Sequence, residues 1–288
     1  MCLLEGWVSN KYACAVNAKH NSHIVIMGNV FKIGRIFFGI SIAVLGFLTV
    51  YYRDFPYMLV PPKHSWIADL VILAYISGVM LILAGACIVF VKKIRLASLL
   101  LGSVLLVIFC FYFIPYEFMV SSNYMHLADW ENAEKELALA GGAFVIAGCF
   151  SAKNENSINR FLGKMTPLGS ILFSIPIISF GILHFLYAKD VADYVPSWVP
   201  YRLFWAYLAG AGLLGSGIAI ILKIKTKLAA TLLGIMIFIW FVILHMPRVV
   251  VSPAADLGSE VTSAFIALAY SGIAFVIAGA HNRKMGQI

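Results

Sequence analysis

Two histidines stand where an ionisable side chain is expensive. His184 and His245 fall near the ends of two long apolar stretches, and a titratable group inside such a stretch marks a functional site by default. Neutral imidazole ligates metals and shuttles protons near neutral pH. A facing pair can hold a haem axially, or protonate a quinone head group while Arg248 pairs with the developing anion. Arg202, Trp198 and Trp205 complete the neighbourhood. The competing reading is structural: each histidine bonds a backbone carbonyl or caps its helix near the headgroups, and the tryptophans belong to an ordinary interfacial belt. Two histidines also fall short of the three protein ligands that catalytic zinc takes. Asp193 or Glu260 can supply another, but no spacing points to either, so no metal site is assigned.

Other chemistries find less support. Cys87, Cys110 and Cys149 stand singly in apolar stretches, Cys2 and Cys14 lie near the N-terminus, and there is no C-x-x-C dithiol. Buried, inert cysteine is the expectation. No P-loop, G-x-G-x-x-G or nucleophile elbow occurs. His126, Asp129, Glu131 and Glu134 fall close together, but only one is a strong nitrogen ligand, and they read as a solvated acidic loop.

The elements that must position these groups follow from composition. Of 288 residues, 62% are hydrophobic and 12% charged, against about 45–50% and about 25% in soluble chains. Mean hydropathy is +0.93. These values exclude a disordered chain, a collagen-like fibre and a disulfide-stapled miniprotein, and leave a polytopic membrane protein in a lipid bilayer. A spanning helix needs about 20 mostly apolar residues. Stretches 33–52, 67–91, 95–114, 134–150, 166–187, 203–222, 228–246 and 262–280 qualify. The fourth is the weakest, because Glu134, Lys135 and Glu136 shorten its apolar run; Pro176 is expected to kink the fifth.

Alternating sides along this topology sorts the charges. Fifteen of the 21 Lys and Arg fall on the side of the N-terminus with two acids; six fall on the other side with eleven. Lys and Arg concentrate on the cytoplasmic face, so the chain is expected in the cell (cytoplasmic) membrane with both termini in the cytoplasm. The formal charge of +8 is then a topology signal rather than a nucleic-acid footprint, and no nucleic-acid partner is expected. Residues 1–28 read as an N-terminal cytoplasmic extension; they lack the h-region of a secretory signal, and Met27 raises the alternative that residues 1–26 are dispensable.

The chain also repeats itself. Gly34, Gly46 and Tyr52 match Gly169, Gly181 and Tyr187 at one offset, as does Val60-Pro61 with Val195-Pro196. Three residues out of step, Gly85, Leu96-Ala97, Leu100-Leu101-Gly102 and Pro115 match Gly217, Leu228-Ala229, Leu232-Leu233-Gly234 and Pro247. Phe144–Gly148 recurs as Phe275–Gly279. The fold expected is therefore an all-α integral membrane protein whose eight transmembrane helices form two tandem parallel four-helix bundles, residues 29–150 and 166–288, joined by a cytoplasmic linker at 151–165. Gly78, Gly85, Gly210, Gly217, Gly141 and Gly272 read as small residues that let helices approach closely. Thr49 and Phe113 occupy the histidine positions in the first unit, so any histidine site belongs to the second.

The unit pattern resembles the DoxX-like family of four-span membrane proteins. The likeness rests on Gly34-Arg35 opening the first span, the outer Val-Pro loop, Tyr-x-x-Gly at 75–78 and 207–210, and the basic turn into Leu-Ala-x-x-Leu-Leu-Gly. Gly181-Ile182-Leu183-His184-Phe185 followed by Val195-Pro196-Ser197-Trp198-Val199-Pro200 carries it further in the second unit. It covers about 250 residues, with the family's single unit doubled and Gly-Arg replaced by Gly169-Ser170. The resemblance implies a four-helix bundle per unit and association with membrane redox systems that use quinone. The expected function is thus a quinone-linked or small-ligand-binding redox component. Its candidate ligand-binding residues are His184, His245, Arg248, Arg202 and Trp205 at the outer half of the second unit. Quinone or haem is the candidate cofactor, and a membrane redox protein or a second copy of the chain the candidate partner. The alternative is a non-enzymatic subunit or scaffold that docks a partner through its cytoplasmic basic loops; a transporter fits less well, since few charges lie within the spans.

Overall fold

The computed structural model describes residues 28–56, 71–121, 125–150, 156–254 and 258–285, the last five as backbone only. Cys2, Cys14, nearly all of the N-terminal extension, Val60-Pro61 and linker residues 151–155 lie outside the described residues. All regular structure among the described residues is helical. The main helices are α1 (Gly28–Tyr52), α2 (Val71–Phe90), α3 (Ile94–Met119), α4 (Glu131–Gly148), α5 (Ser157–Leu186), α6 (Ala188–Tyr194), α7 (Arg202–Ile221), α8 (Thr226–Val251) and α9 (Ser259–Met285). Seven of them, α1, α2, α3, α5, α7, α8 and the apolar part of α9, are long and apolar enough to cross a membrane, which marks a multi-pass membrane protein. Lipid-facing positions such as Ile72, Phe111 and Leu232 are exposed and apolar. α4 falls on the fourth predicted stretch, but its charged first turns keep it out of that group.

Local chemistry explains the irregularities. α5 starts with Asn156 as N-cap, its side chain accepting from Asn159 N at 3.0 Å, and continues as α-helix on both sides of Pro176. α3 and α8 each widen into a π-helical turn, 109–113 and 241–245, directly ahead of Pro115 and Pro247. A proline ring clashes with the carbonyl four residues back and leaves it without a donor; the wider turn absorbs both effects.

The repeat reappears in backbone geometry. The turns into α3 and α8 hold left-handed non-glycine residues at matching places, Val91 and Lys93 in one, Lys223 and Lys225 in the other. These lysine-rich turns mark one end of the molecule, where Arg95 donates to Ala147 O at 2.7 Å and Phe150 O at 2.8 Å at the end of α4. Arg35 does the same for the end of α2, donating to Ile88 O and, at 2.7 Å, to Val89 O. The opposite end, with Asp54, Glu117, Glu131, Asp190 and Glu260, is acidic.

Packing departs from two separate bundles. The glycine contacts expected within units are present: Gly46 meets Gly78 and Gly181 meets Gly210, backbone against backbone. Two further crossings join the units. Gly34 of α1 meets Gly272 of α9, and Gly169 of α5 meets Gly141 of α4, so each unit's last long helix packs on the other unit's first. One hydrophobic core runs through both halves, from Phe31, Phe38 and Ile42 through Ile146 and Phe173 to Leu233 and Ile273. α4 and α9 fill its centre; residues 137–147 of α4 are all buried. A helix without a polar face finds its partners on every side in such a position, which is why these two became central.

Candidate functional site

The two predicted histidines stand on helices that both touch α9. His184 sits on α5 over Gly210 of α7, and its Nδ1 pairs with Phe180 O at 2.7 Å. The equivalent Thr49 makes the same bond one turn back, Oγ1 donating to Leu45 O at 2.8 Å. The carbonyl-bonding role therefore holds for His184. His245 closes the π-helical turn of α8, and its buried Nδ1 has no hydrogen-bond partner. α9 lies between the two histidine helices: Tyr270 packs on Phe173 and Phe180 of α5 with ring centroids 5.8 and 6.1 Å away, while Ser271 Oγ donates to Gly234 O of α8 at 2.9 Å. No hydrogen bond joins the two imidazoles among the described residues.

The other predicted residues have partners of different kinds. Arg248 grips Glu260 with two parallel hydrogen bonds, Nε to Oε2 at 2.8 Å and Nη2 to Oε1, and its guanidinium lies 4.6 Å from the Tyr194 ring centroid. Such a fork-on-carboxylate pair is geometrically specific. Trp205 Nε1 donates to Pro200 O at 3.0 Å and its ring meets Trp240 edge-on at 6.3 Å. Arg202 begins α7 and is exposed. Arg248 and Glu260, with Tyr194, Trp198, Leu244 and Pro247, line a cavity of about 460 Å³ at the acidic end. His245 lies in sequence between two of these lining residues, Leu244 and Pro247.

α4 buries acids expected in a solvated loop or at the start of a weak span. Glu134, read as part of a solvated loop, lies on a helix and is 8% exposed, with Oε2 unpartnered. Glu136 is fully buried with neither oxygen partnered. Glu131 and Lys135 form an i,i+4 ion pair at 2.6 Å. The hydroxyls of Ser179 on α5 and Tyr270 on α9 are likewise buried without a partner.

Buried polar groups are normally hydrogen-bonded, so each exception calls for an explanation. The ionisable residues with a buried, unpartnered polar atom among the described residues, Glu117 (Oε2), Glu134 (Oε2), Glu136, His245 (Nδ1) and Tyr270, belong to the acidic half or the middle of their helices. Glu134 and Glu136 were legible as charges but not as buried ones. Tyr270 carried no signal beyond its place in an apolar run. No group of three or more His, Cys, Asp or Glu side chains suited to a metal occurs among the described residues. His126 meets Tyr187 instead, Nδ1 to Oη at 3.2 Å. Compared with family models, with curated proteins and with solved structures, the chain matches none of them.

Proposed function

We propose that the protein is an eight-span, two-unit DoxX-like membrane protein that binds a small, proton-accepting ligand of quinone type within its acidic half, as a component of a membrane redox system. α4 is the eighth span in this reading, its charged first turns lying at the interface and its apolar remainder in the bundle centre. Lysine-rich turns at one end and acids at the other support cytoplasmic termini by the positive-inside rule. The observation that carries the functional reading is the set of buried, unpartnered atoms His245 Nδ1, Tyr270 Oη and Glu134 Oε2; a cavity of about 460 Å³ lined by Arg248, Tyr194 and Trp198 includes Leu244 and Pro247, which flank His245 in sequence. Ligand pockets combine apolar walls with a few convergent polar groups in this way. His245, Tyr270 and Glu134 exchange protons with the head group, and Arg248, already fixed by Glu260, contributes positive potential rather than a free hydrogen-bond fork. His184, tied to Phe180 O, orients α5 against α7.

The test is equilibrium binding of decylubiquinone to the protein in nanodiscs. Saturable binding is expected, weakened at least tenfold by His245→Ala and by Tyr270→Phe and little changed by His184→Ala. Binding that does not saturate, or that survives both substitutions within twofold, sinks the reading. A visible spectrum of the same preparation addresses haem: a Soret band lost in His245→Ala would move the ligand class from quinone to haem.

A second reading, a scaffold that docks a partner, rests on the exposed lysines of the two basic turns, Lys92, Lys93, Lys223 and Lys225. Cross-linking in native membranes should then trap a partner on that face, and a clean single-chain band speaks against it.

A further inference from the structure

A second site lies in the first half and shares none of the residues proposed above to bind quinone. α2 and α3 diverge to leave an apolar groove of about 400 Å³. Its lips, Met80, Leu83, Leu100 and Val104, are exposed on the lipid-facing surface. Its wall includes one carboxyl, Glu136, contributed by the central helix α4, fully buried and with both oxygens unpartnered.

From these observations we infer that the groove between α2 and α3 is a binding site for a single-chain lipid with a neutral carbonyl head, held by a hydrogen bond from Glu136. An ionised carboxylate with no counter-charge is far costlier in such surroundings than the neutral acid, whose O–H then needs an acceptor. The one hydroxyl in the lining, Ser77 Oγ, donates to Leu73 O at 2.7 Å or Ala74 O at 3.1 Å and makes no hydrogen bond with Glu136, and Lys93 is a donor at the far end. Depths agree with a head-and-tail ligand. Glu136, sixth in α4, lies about 7–8 Å from the acidic end of that helix, and Ser77 lies about 9 Å into the described part of α2, at about 1.5 Å per residue. From there the aliphatic part of the groove runs about 20 Å to the turn holding Lys93. The volume lies within the range of about 300–1,000 Å³ for small-molecule pockets and is far too small for a helix about 10 Å across. The second half offers no counterpart to the carboxyl, because Ala267 occupies the position equivalent to Glu136. This inference uses none of the quinone-site residues His245, Tyr270, Glu134 and Arg248 and survives the failure of that site.

The probe is the methyl ester of a sixteen-carbon fatty acid carrying a photoreactive diazirine. The full chain is placed in vesicles of ether-linked phosphatidylcholine, which bring no carbonyl of their own. Cross-links in the wild type should saturate and concentrate on α2 and α3 between Met80 and Val104. Glu136→Leu, which removes the donor, should lower them at least fivefold, whereas Glu136→Gln, whose amide still donates, should keep them within twofold. Cross-links to the exposed face of α8 at Leu228 and Leu232 should not change, which separates loss of the site from loss of the fold. Excess unlabelled decylubiquinone and methyl palmitate then tell the two carbonyl sources apart; displacement by either supports the site. Cross-linking spread evenly over the lipid-facing helices, Glu136→Leu at the wild-type level, Glu136→Gln as damaging as Glu136→Leu in folded protein, or displacement by neither competitor overturns it.

Discussion

The joint between the two units makes a quantitative prediction through Gly141. A Cβ added there would lie 2.6 Å from both Gly169 O and Phe173 N, backbone atoms of α5 that cannot turn aside. Ordinary contact begins near 3.4 Å, so α4 and α5 must part by roughly 0.8 Å, a radial gap that forfeits about a quarter to a half of each well of about 0.1–0.2 kcal/mol. With about 40–60 atom pairs, as for one buried leucine, the loss is roughly 2–3 kcal/mol. Overpacked cores show costs of about 1–3 kcal/mol, and alanine's better helix propensity returns at most about 1 kcal/mol. Gly141→Ala should therefore destabilise by about 2 kcal/mol, read as a shift in the unfolding midpoint followed by circular dichroism in mixed micelles of increasing denaturing detergent. The control is Gly215→Ala on α7, where nothing lies within 4 Å of the added Cβ; it should be neutral or slightly stabilising. Gly272→Ala, at the equivalent crossing with Gly34, should cost about as much as Gly141→Ala. Gly141→Ala as stable as wild type, or Gly215→Ala equally damaging, would refute the packing argument.

Two more outcomes test the lysine-rich end. Arg95→Met removes both hydrogen bonds that Arg95 makes to the end of α4; at about 1.5–3 kcal/mol for a bond to a charged group, discounted for partial exposure, a loss of about 2 kcal/mol is expected in the same unfolding assay, with Arg95→Lys recovering part of it. Lys225→Gly should do the opposite: its left-handed φ of 42° costs a non-glycine residue about 1–2 kcal/mol, so glycine should gain about 1 kcal/mol after its own entropy cost, and a lower midpoint would contradict the strain.

The amino-acid sequence determined what depends on neighbours along the chain. Apolar run length dictated the helices, because backbone in lipid must satisfy its own hydrogen bonds. The spacing of Pro115 and Pro247 set two equivalent irregular turns, and the glycine repeat set which faces can approach. Lys92, Lys93, Lys223 and Lys225 ended up at one pole with the acids at the other, as alternation of spans requires. Tertiary structure alone decided which helices became central. Glu131–Glu136 read locally as loop and weak span, since charge density there is high. Yet the rest of α4, from Leu137 to Ala147, is apolar or small on every face and can be satisfied only by contacts all round, which drew Glu134 and Glu136 inside with it. By the same packing, α9 lies between the helices of His184 and His245, and the unpartnered His245, Tyr270 and Glu134 became the candidate site. Such placements depend on contacts between residues more than 100 positions apart, as between Gly142 and Ile273, and no local periodicity encodes them.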